Sequence, residues 1–135
     1  MTEPEFLEHD AVLFLHDQSI REYGGFHGVR DQNLLASALP RPIDKYAYGA
    51  YGEPDLFDLA AAYAFGIARN HAFNDGNKRT AWASCVLFLK VNKVQIDALA
   101  SEIILNVVTL ATGENSEAEF VTWLRKQAAA ADRIT

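Results

Sequence analysis

The residues of this chain that could do chemistry are concentrated between residues 71 and 81, which read His-Ala-Phe-Asn-Asp-Gly-Asn-Lys-Arg-Thr-Ala. This segment brings an imidazole, a carboxylate, a glycine and two adjacent cations to the start of an apolar run with helical spacing. The backbone N–H groups at a helix start lack partners and the helix dipole is positive there, so acidic residues are normally favoured. Lys78 and Arg79 occupy this position instead. An anion bound among them would make their placement favourable, and we therefore predict a phosphate site.

The polar residues of this segment have the roles that phosphoryl or nucleotidyl transfer requires. His71 is of a type that titrates near neutral pH and could accept a proton from an attacking hydroxyl. Asp75 is a hard oxygen ligand of the kind that Mg²⁺ prefers. Gly76 would let the backbone approach a phosphate closely, while Lys78 and Arg79 would neutralise its charge. The segment thus predicts a base, a metal ligand and an electrostatic clamp.

Structural roles are the simpler explanation for several of these residues taken singly. Asn77 or Gly76 is predicted to cap the following helix, which is the simplest role for Asn77, and Asp75 and Asn74 could be turn residues. Phe73 is expected in the core. The remaining histidines lack paired ligand spacing for zinc and are expected to be structural: His9, His16 and His27.

The composition argues against several classes of function. The 135 residues, half of them hydrophobic, are sufficient for a single core, and we expect one domain over residues 1–135. A net charge of −6 opposes a broad surface for nucleic acid or anionic membranes. The single cysteine, Cys85, lies in an apolar run and is expected to be a buried, inert thiol. We find no leader peptide and no apolar run near the ~20 residues of a membrane span, and we expect a cytoplasmic protein.

Apolar periodicity predicts an all-α domain, a compact bundle of about six helices. The segment between Pro42 and Pro54 is rich in glycine and aromatic residues, and we predict a loop that could form a short extended flap. Asp55 and Ser116 are predicted to begin helices as caps. The predicted helices span residues 9–23, 31–39, 55–69, 78–91, 97–112 and 116–130.

The segment resembles the signature of the Fic/Doc superfamily in its Doc, or death-on-curing, form. The positions that carry the likeness are His71, Phe73 and the run Asp-Gly-Asn-Lys-Arg at 75–79. Residues 21–25, 80–81, 87–89 and 111–114 are also similar to that form, so the resemblance covers most of the chain. It implies the Fic/Doc fold, with His71 as general base and Asp75 as the Mg²⁺ ligand. It also implies phosphate binding by Gly76, Asn77, Lys78 and Arg79.

Two positions depart from the commoner Fic pattern, which has glycine in place of Lys78 and a second arginine in place of Trp82. In Fic enzymes that transfer adenylate, those positions help to hold the phosphates of the nucleotide. The Doc form instead implies transfer of the γ-phosphate of ATP to a threonine of elongation factor Tu, which blocks translation. We therefore expect a protein Thr/Ser kinase that inhibits translation. The alternatives are a protein adenylyltransferase and a non-catalytic module that binds nucleotides or a partner.

The resemblance also implies a partner protein. Superfamily members that restrain themselves carry a Ser/Thr-x-x-x-Glu-Gly/Asn helix, and this pattern is absent from the sequence. A separate antitoxin chain is therefore implied, which would complete the fold by adding a helical segment in a groove. The flap that aligns the target in this superfamily would fall within residues 44–53, where no matching motif identifies its residues.

Overall fold

A computed structural model describes residues 3–49 and 53–134, with side chains up to residue 128. Within these ranges the chain is helical, apart from one isolated bridge between Val29 and Phe73. The prediction of an all-α bundle is confirmed. The helices are α1 (His9–Tyr23), α2 (Gln32–Ala38), α3 (Arg41–Tyr48), α4 (Leu56–Asn70), α5 (Asn77–Val91), α6 (Ala100–Thr112) and α7 (Glu117–Ile134).

The segment after Pro40 differs from the prediction. We expected a loop or flap there, but residues 41–48 form α3. Pro42 does not stop the helix, because it lies in the first turn, where a missing N–H leaves no helical hydrogen bond unmade. Residues 50–52 of the expected flap lie outside the described residues.

Helix α4 is the centre of the bundle and packs against α2, α3, α5, α6 and α7. Its alanine-rich sequence lets these neighbours approach closely, and residues 59–64 are fully buried. Tyr63, Phe88 and Phe120 fill the main core, where Cys85 is also buried. Burial raises the pKa of the Cys85 thiol, in agreement with an inert cysteine. Since α4 and α5 are held by this core, the connection between them, residues 71–76, begins and ends on rigid elements.

None of the helices in residues 3–49 and 53–134 has the length and apolar character needed to cross a bilayer.

The two predicted caps are present. Ser116 and Glu119 form a capping box at the start of α7, with the Glu119 N–H donating to Ser116 Oγ and the Ser116 N–H donating to Glu119 Oε1. Asp55 accepts from the Asp58 N–H at 2.9 Å and from the Arg125 guanidinium at 2.8 Å. Burial raises the pKa of the Asp55 carboxyl, but these hydrogen bonds outweigh it and hold the pKa below 3.8.

Asp55→Ala is expected to lower the free energy of unfolding at pH 7 by about 1 kcal/mol, because α4 loses its cap. A carboxyl whose pKa is depressed in the folded state stabilises the protein above the unfolded pKa, and this contribution disappears as pH falls through the folded value. The difference from wild type should therefore shrink below about pH 4. Urea unfolding at pH 7 and pH 3 measures this difference in the free energy of unfolding. Asp10→Ala is the control, because Asp10 is an exposed aspartate in the first turn of α1. An equal difference at both pH values would contradict the assignment.

Candidate active site

The connection between α4 and α5 gathers the predicted site. Phe73 is buried there against α1 and α2, and its ring stacks on the ring of His16 with centroids 3.8 Å apart. His71 and Asn74, which flank the buried residues Ala72 and Phe73, are therefore exposed on an anchored loop. The six predicted site residues lie in this loop and in the first turn of α5: His71, Asp75, Gly76, Asn77, Lys78 and Arg79.

His71 follows the last residue of α4 and adopts a left-handed conformation, with φ 51° and ψ 44°. This conformation is uncommon for residues other than glycine, although histidine tolerates it better than most. The carbonyl of His71 accepts two hydrogen bonds from the Arg30 guanidinium, at 2.9 and 2.6 Å. Its imidazole is exposed and makes no hydrogen bond to the described residues. The ring is therefore free to meet a substrate hydroxyl.

Asp75 is held by backbone groups on both sides of its carboxylate. Oδ1 accepts from the Gly76 N–H at 2.8 Å and Oδ2 accepts from the Phe26 N–H at 3.3 Å. These hydrogen bonds, with Gly76 the larger cause, and the nearby Arg79 hold the pKa of Asp75 below 3.8. Its carbonyl accepts from Nε2 of His16 at 2.8 Å. Asp75 is thus an ionised carboxylate at neutral pH, with its backbone and side chain both restrained.

Of the two residues predicted to cap α5, Asn77 does not do so, and that role for Asn77 was wrong. Gly76 takes the N-cap position with φ 75°, and no side chain caps the helix. The left-handed turn at Gly76 places Asn77 inside the first turn of α5, where its side chain forms hydrogen bonds with the preceding loop. Oδ1 accepts from the Phe73 N–H and Nδ2 donates to the Phe73 carbonyl, both at 3.0 Å. Asn77 therefore closes the loop, and its backbone N–H is the group that it can offer to an anion.

The two cations of the first turn are held differently. Arg79 donates from Nη2 to the Gly24 carbonyl at 2.9 Å, and its guanidinium lies 5.7 Å from the centre of the Tyr23 ring. Lys78 is exposed and makes neither a hydrogen bond nor an ion pair with the described residues. Arg79 is thus a fixed positive charge beside the helix start, and Lys78 is a movable one.

Sequence reasoning missed the loop that supports the site, residues 24–31 between α1 and α2. The Gly28 carbonyl accepts from the Asn74 N–H at 3.2 Å, and the Asn74 side chain donates to the His27 carbonyl at 3.1 Å. The Arg30 N–H donates to the Ala72 carbonyl at 2.7 Å. The available signal was the glycine spacing at 24, 25 and 28, which is typical of a backbone that must approach another segment closely.

Gly25 shows how close this approach is. It has φ 119°, and a Cβ at this position would lie 2.6 Å from Oδ2 of Asp75. Gly24 has φ 82°, and a Cβ at this position would have no neighbouring atom within 4 Å. Both alanine variants should carry backbone strain of about 1 kcal/mol, and Gly25→Ala should lose roughly 1–2 kcal/mol more because the carboxylate must move. Urea unfolding of both variants tests this, and equal losses would show that the contact with Asp75 is unimportant.

The site can offer a metal ion only a small set of protein ligands. No cluster of three or more His, Cys, Asp or Glu side chains suited to a metal occurs among residues 3–49 and 53–134. Asp75 is the carboxylate that the six predicted site residues offer to an ion. This fits Mg²⁺, which is commonly bound by one or two carboxylates together with substrate phosphates and water. The ionised state of Asp75 agrees with such a role.

Comparison with known proteins assigns the family. The Fic/DOC family model matches residues 6–89, which include α1 to α4, the site loop and most of α5. The chain belongs to the Fic/DOC family. It is 38% identical over 117 residues to the protein kinase doc of Escherichia phage P1, covering 87% of this chain and 90% of that protein. It is 45% identical over 94 residues to the Toxin Doc of Mycolicibacterium smegmatis, covering 70% of this chain and 69% of that protein.

Family membership confirms the resemblance that the residues at 71–79 carried. The family match ends within α5, and the alignment to the phage protein, which covers 87% of the chain, extends the likeness beyond the site. The individual roles of the six predicted residues stay predictions.

Proposed function

We propose that this protein is the toxin of a toxin–antitoxin pair and transfers the γ-phosphate of ATP to a threonine or serine hydroxyl of a translation protein, with elongation factor Tu as the expected target. The observation that carries the proposal is Lys78, an exposed cation in the first turn of α5 that makes no ion pair with the residues the structure describes and stands where the commoner Fic pattern has glycine. The names of the two relatives, a protein kinase and a toxin, support it.

Trp82 supports phosphate rather than adenylate transfer. Its ring packs against Trp123 of α7, with centroids 5.6 Å apart. This apolar side chain stands where the commoner Fic pattern has a second arginine, so no charge from position 82 reaches a nucleotide phosphate. The phosphate clamp of this chain would therefore consist of Lys78, Arg79 and the free N–H groups of the α5 start.

In the proposed reaction the hydroxyl of the target gives its proton to the imidazole of His71. The hydroxyl oxygen forms a bond to the γ-phosphorus, the bond from that phosphorus to the bridging oxygen breaks, and ADP leaves. Lys78, Arg79 and the backbone N–H groups of α5 stabilise the charge on the transferred group. Asp75 would hold a Mg²⁺ ion, whose charge would offset that of the phosphates.

Labelled ATP tests the proposal. The protein is incubated with purified elongation factor Tu and ATP labelled at either the γ or the α position, and the labelled residue is located by mass spectrometry. Label from the γ position on a threonine or serine is the expected result. Label from the α position would identify an adenylyltransferase instead. Absence of transfer from both positions, together with growth inhibition that survives His71→Ala, would indicate a non-catalytic module.

We also propose that the antitoxin adds a helical segment to the groove between α1, α5 and α6. This groove, of about 540 Å³, is mainly apolar, and Arg79 is among the residues that line it. Tyr23 and Ile104 at its edges are 71% and 64% exposed, which is unusual for large apolar side chains that line one groove. A helix with an apolar face and one carboxylate beside Arg79 would cover these residues and reduce the positive charge at the phosphate site.

Ile104→Glu is expected to weaken neutralisation by the antitoxin by more than 10-fold while growth inhibition is retained, because a charge would be buried in the groove. Leu105→Glu is the matched control, since Leu105 is 61% exposed on the same helix but does not line the groove. The measurement is growth with each variant co-expressed with the small open reading frame next to its gene. If both variants are neutralised equally, the antitoxin binds elsewhere.

A further inference from the structure

Arg30 binds the end of α4 with both its backbone and its side chain. The N–H groups of Arg30 and Asp31 donate to the Ala72 carbonyl at 2.7 and 3.0 Å. Nε and Nη2 of Arg30 donate to the carbonyl of His71 at 2.9 and 2.6 Å. The two peptide carbonyls that follow α4 are therefore both held by one residue and its neighbour. Arg30 itself is exposed, so these contacts do not arise from burial.

These contacts matter because they restrain the backbone that carries the imidazole of His71. The ring makes no hydrogen bond to any described residue, so its direction depends on the backbone that carries it. That backbone is left-handed, a conformation that a histidine leaves readily unless its surroundings hold it. Two N–H donors of one planar guanidinium hold the carbonyl oxygen of His71 in place more firmly than a single donor would.

The same loop also holds the other end of the site. Phe26, four residues before Arg30, donates its N–H to Oδ2 of Asp75. One short segment thus contacts the carboxylate at one end and the peptide of His71 at the other. Residues 26–30 therefore hold both ends of the segment that carries the imidazole and the carboxylate.

We infer that Arg30 is a positioning residue, which holds the peptide of His71 so that the imidazole faces the site formed by Asp75 and the start of α5. The inference rests on the proposed function, in which His71 is the base. Arg30 acts through His71 and does not contact the phosphate clamp.

A simpler role for Arg30 is to stabilise α4 as a cation at its C-terminus. Arg30→Lys separates the two roles, because lysine keeps the charge but cannot form the fork. A charge effect predicts that the lysine variant behaves like wild type. A positioning role predicts that it behaves more like Arg30→Ala.

The kinetic test compares Arg30→Ala and Arg30→Lys with Arg21→Ala, a control that removes an exposed arginine paired with Asp17 on α1. A misplaced base slows the chemical step, so kcat should fall by about 100-fold in Arg30→Ala. In Arg30→Lys kcat should show most of the same decrease. The KM for ATP should be unchanged in both variants. Arg21→Ala should match wild type. A lysine variant as active as wild type, or a change confined to KM, would overturn the inference.

NMR of the protein with labelled histidine supplies a readout that does not depend on the reaction. The His71 ring resonances are assigned by their loss in His71→Asn, and they should shift or broaden in both Arg30 variants but not in Arg21→Ala. Unchanged His71 resonances in the Arg30 variants would overturn the inference even if kcat falls. If the wild type transfers no phosphate, the proposed function is wrong. A shift of these resonances in the Arg30 variants would still show that Arg30 positions His71.

Discussion

Replacing His71 is expected to abolish growth inhibition and to lower the rate of phosphate transfer by about 10²–10⁴-fold, the usual contribution of a general base. The target hydroxyl would lose the group that accepts its proton, while the phosphate clamp and the fold stay intact. The ring makes no hydrogen bond to the described residues, so its removal should cost little stability. Initial rates with γ-labelled ATP, together with growth on induction, measure the effect.

Two further variants make the His71 result specific. His71→Asn should be as inactive as His71→Ala, and asparagine tolerates the left-handed backbone at φ 51°, so strain cannot explain its inactivity. His27→Ala is the control, because His27 is an exposed histidine of the supporting loop whose ring contacts Asp17 on α1. It should keep full activity. If His71→Asn keeps wild-type transfer and growth inhibition, His71 is not the base.

Lys78→Ala is expected to lower γ-phosphate transfer by about 10²–10³-fold, because it removes a cation from the transition state of a reaction driven by positioning and charge stabilisation. Lys90→Ala is the matched control, since Lys90 is an exposed lysine in the last turn of the same helix. It should have no effect. The measurement is the transfer rate at saturating ATP, so that a change in nucleotide affinity is distinguished from a change in kcat.

Lys78→Gly examines the choice of phosphate directly, because it restores the residue of the commoner Fic pattern. Transfer from the γ position should fall at least as far as in Lys78→Ala. Since Trp82 still packs against Trp123, the variant should not gain efficient transfer from the α position. A variant that keeps wild-type γ-transfer would show that Lys78 does not decide the reaction.

Much of the fold could be predicted from the sequence because its signals are local. Apolar spacing of 3.6 residues defines the faces of α1 and α5, and the caps at Asp55 and Ser116 lie within three residues of the groups they bind. The miss at α3 has a local cause as well. The glycine and aromatic residues after Pro42 predicted a loop, but proline in the first turn of a helix is compatible with the helix continuing.

The site was predictable only as a list of residues. The residue types and their spacing at 71–79 indicated a phosphate site, because these residues follow one another in the chain. The supports of those residues come from far away in sequence: Phe26 is 49 residues from Asp75, and Arg30 is 41 residues from His71. No periodicity or propensity connects positions so distant, and the contacts go to backbone carbonyls and N–H groups that every residue possesses.

The sequence by itself determined that this protein is helical, that its chemistry lies at 71–79, and which family it belongs to. These features could be predicted because helix periodicity and a contiguous motif depend only on residues that are close together in the chain. The tertiary structure alone decided how the motif is held. It turned Asn77 from a cap into a loop closure and left Lys78 free while Arg79 is bound. It also brought the loop at 24–31 against the motif. These outcomes depend on which backbone groups packing brings within hydrogen-bond distance, and packing of α1 and α2 against α4 and α5 sets that distance.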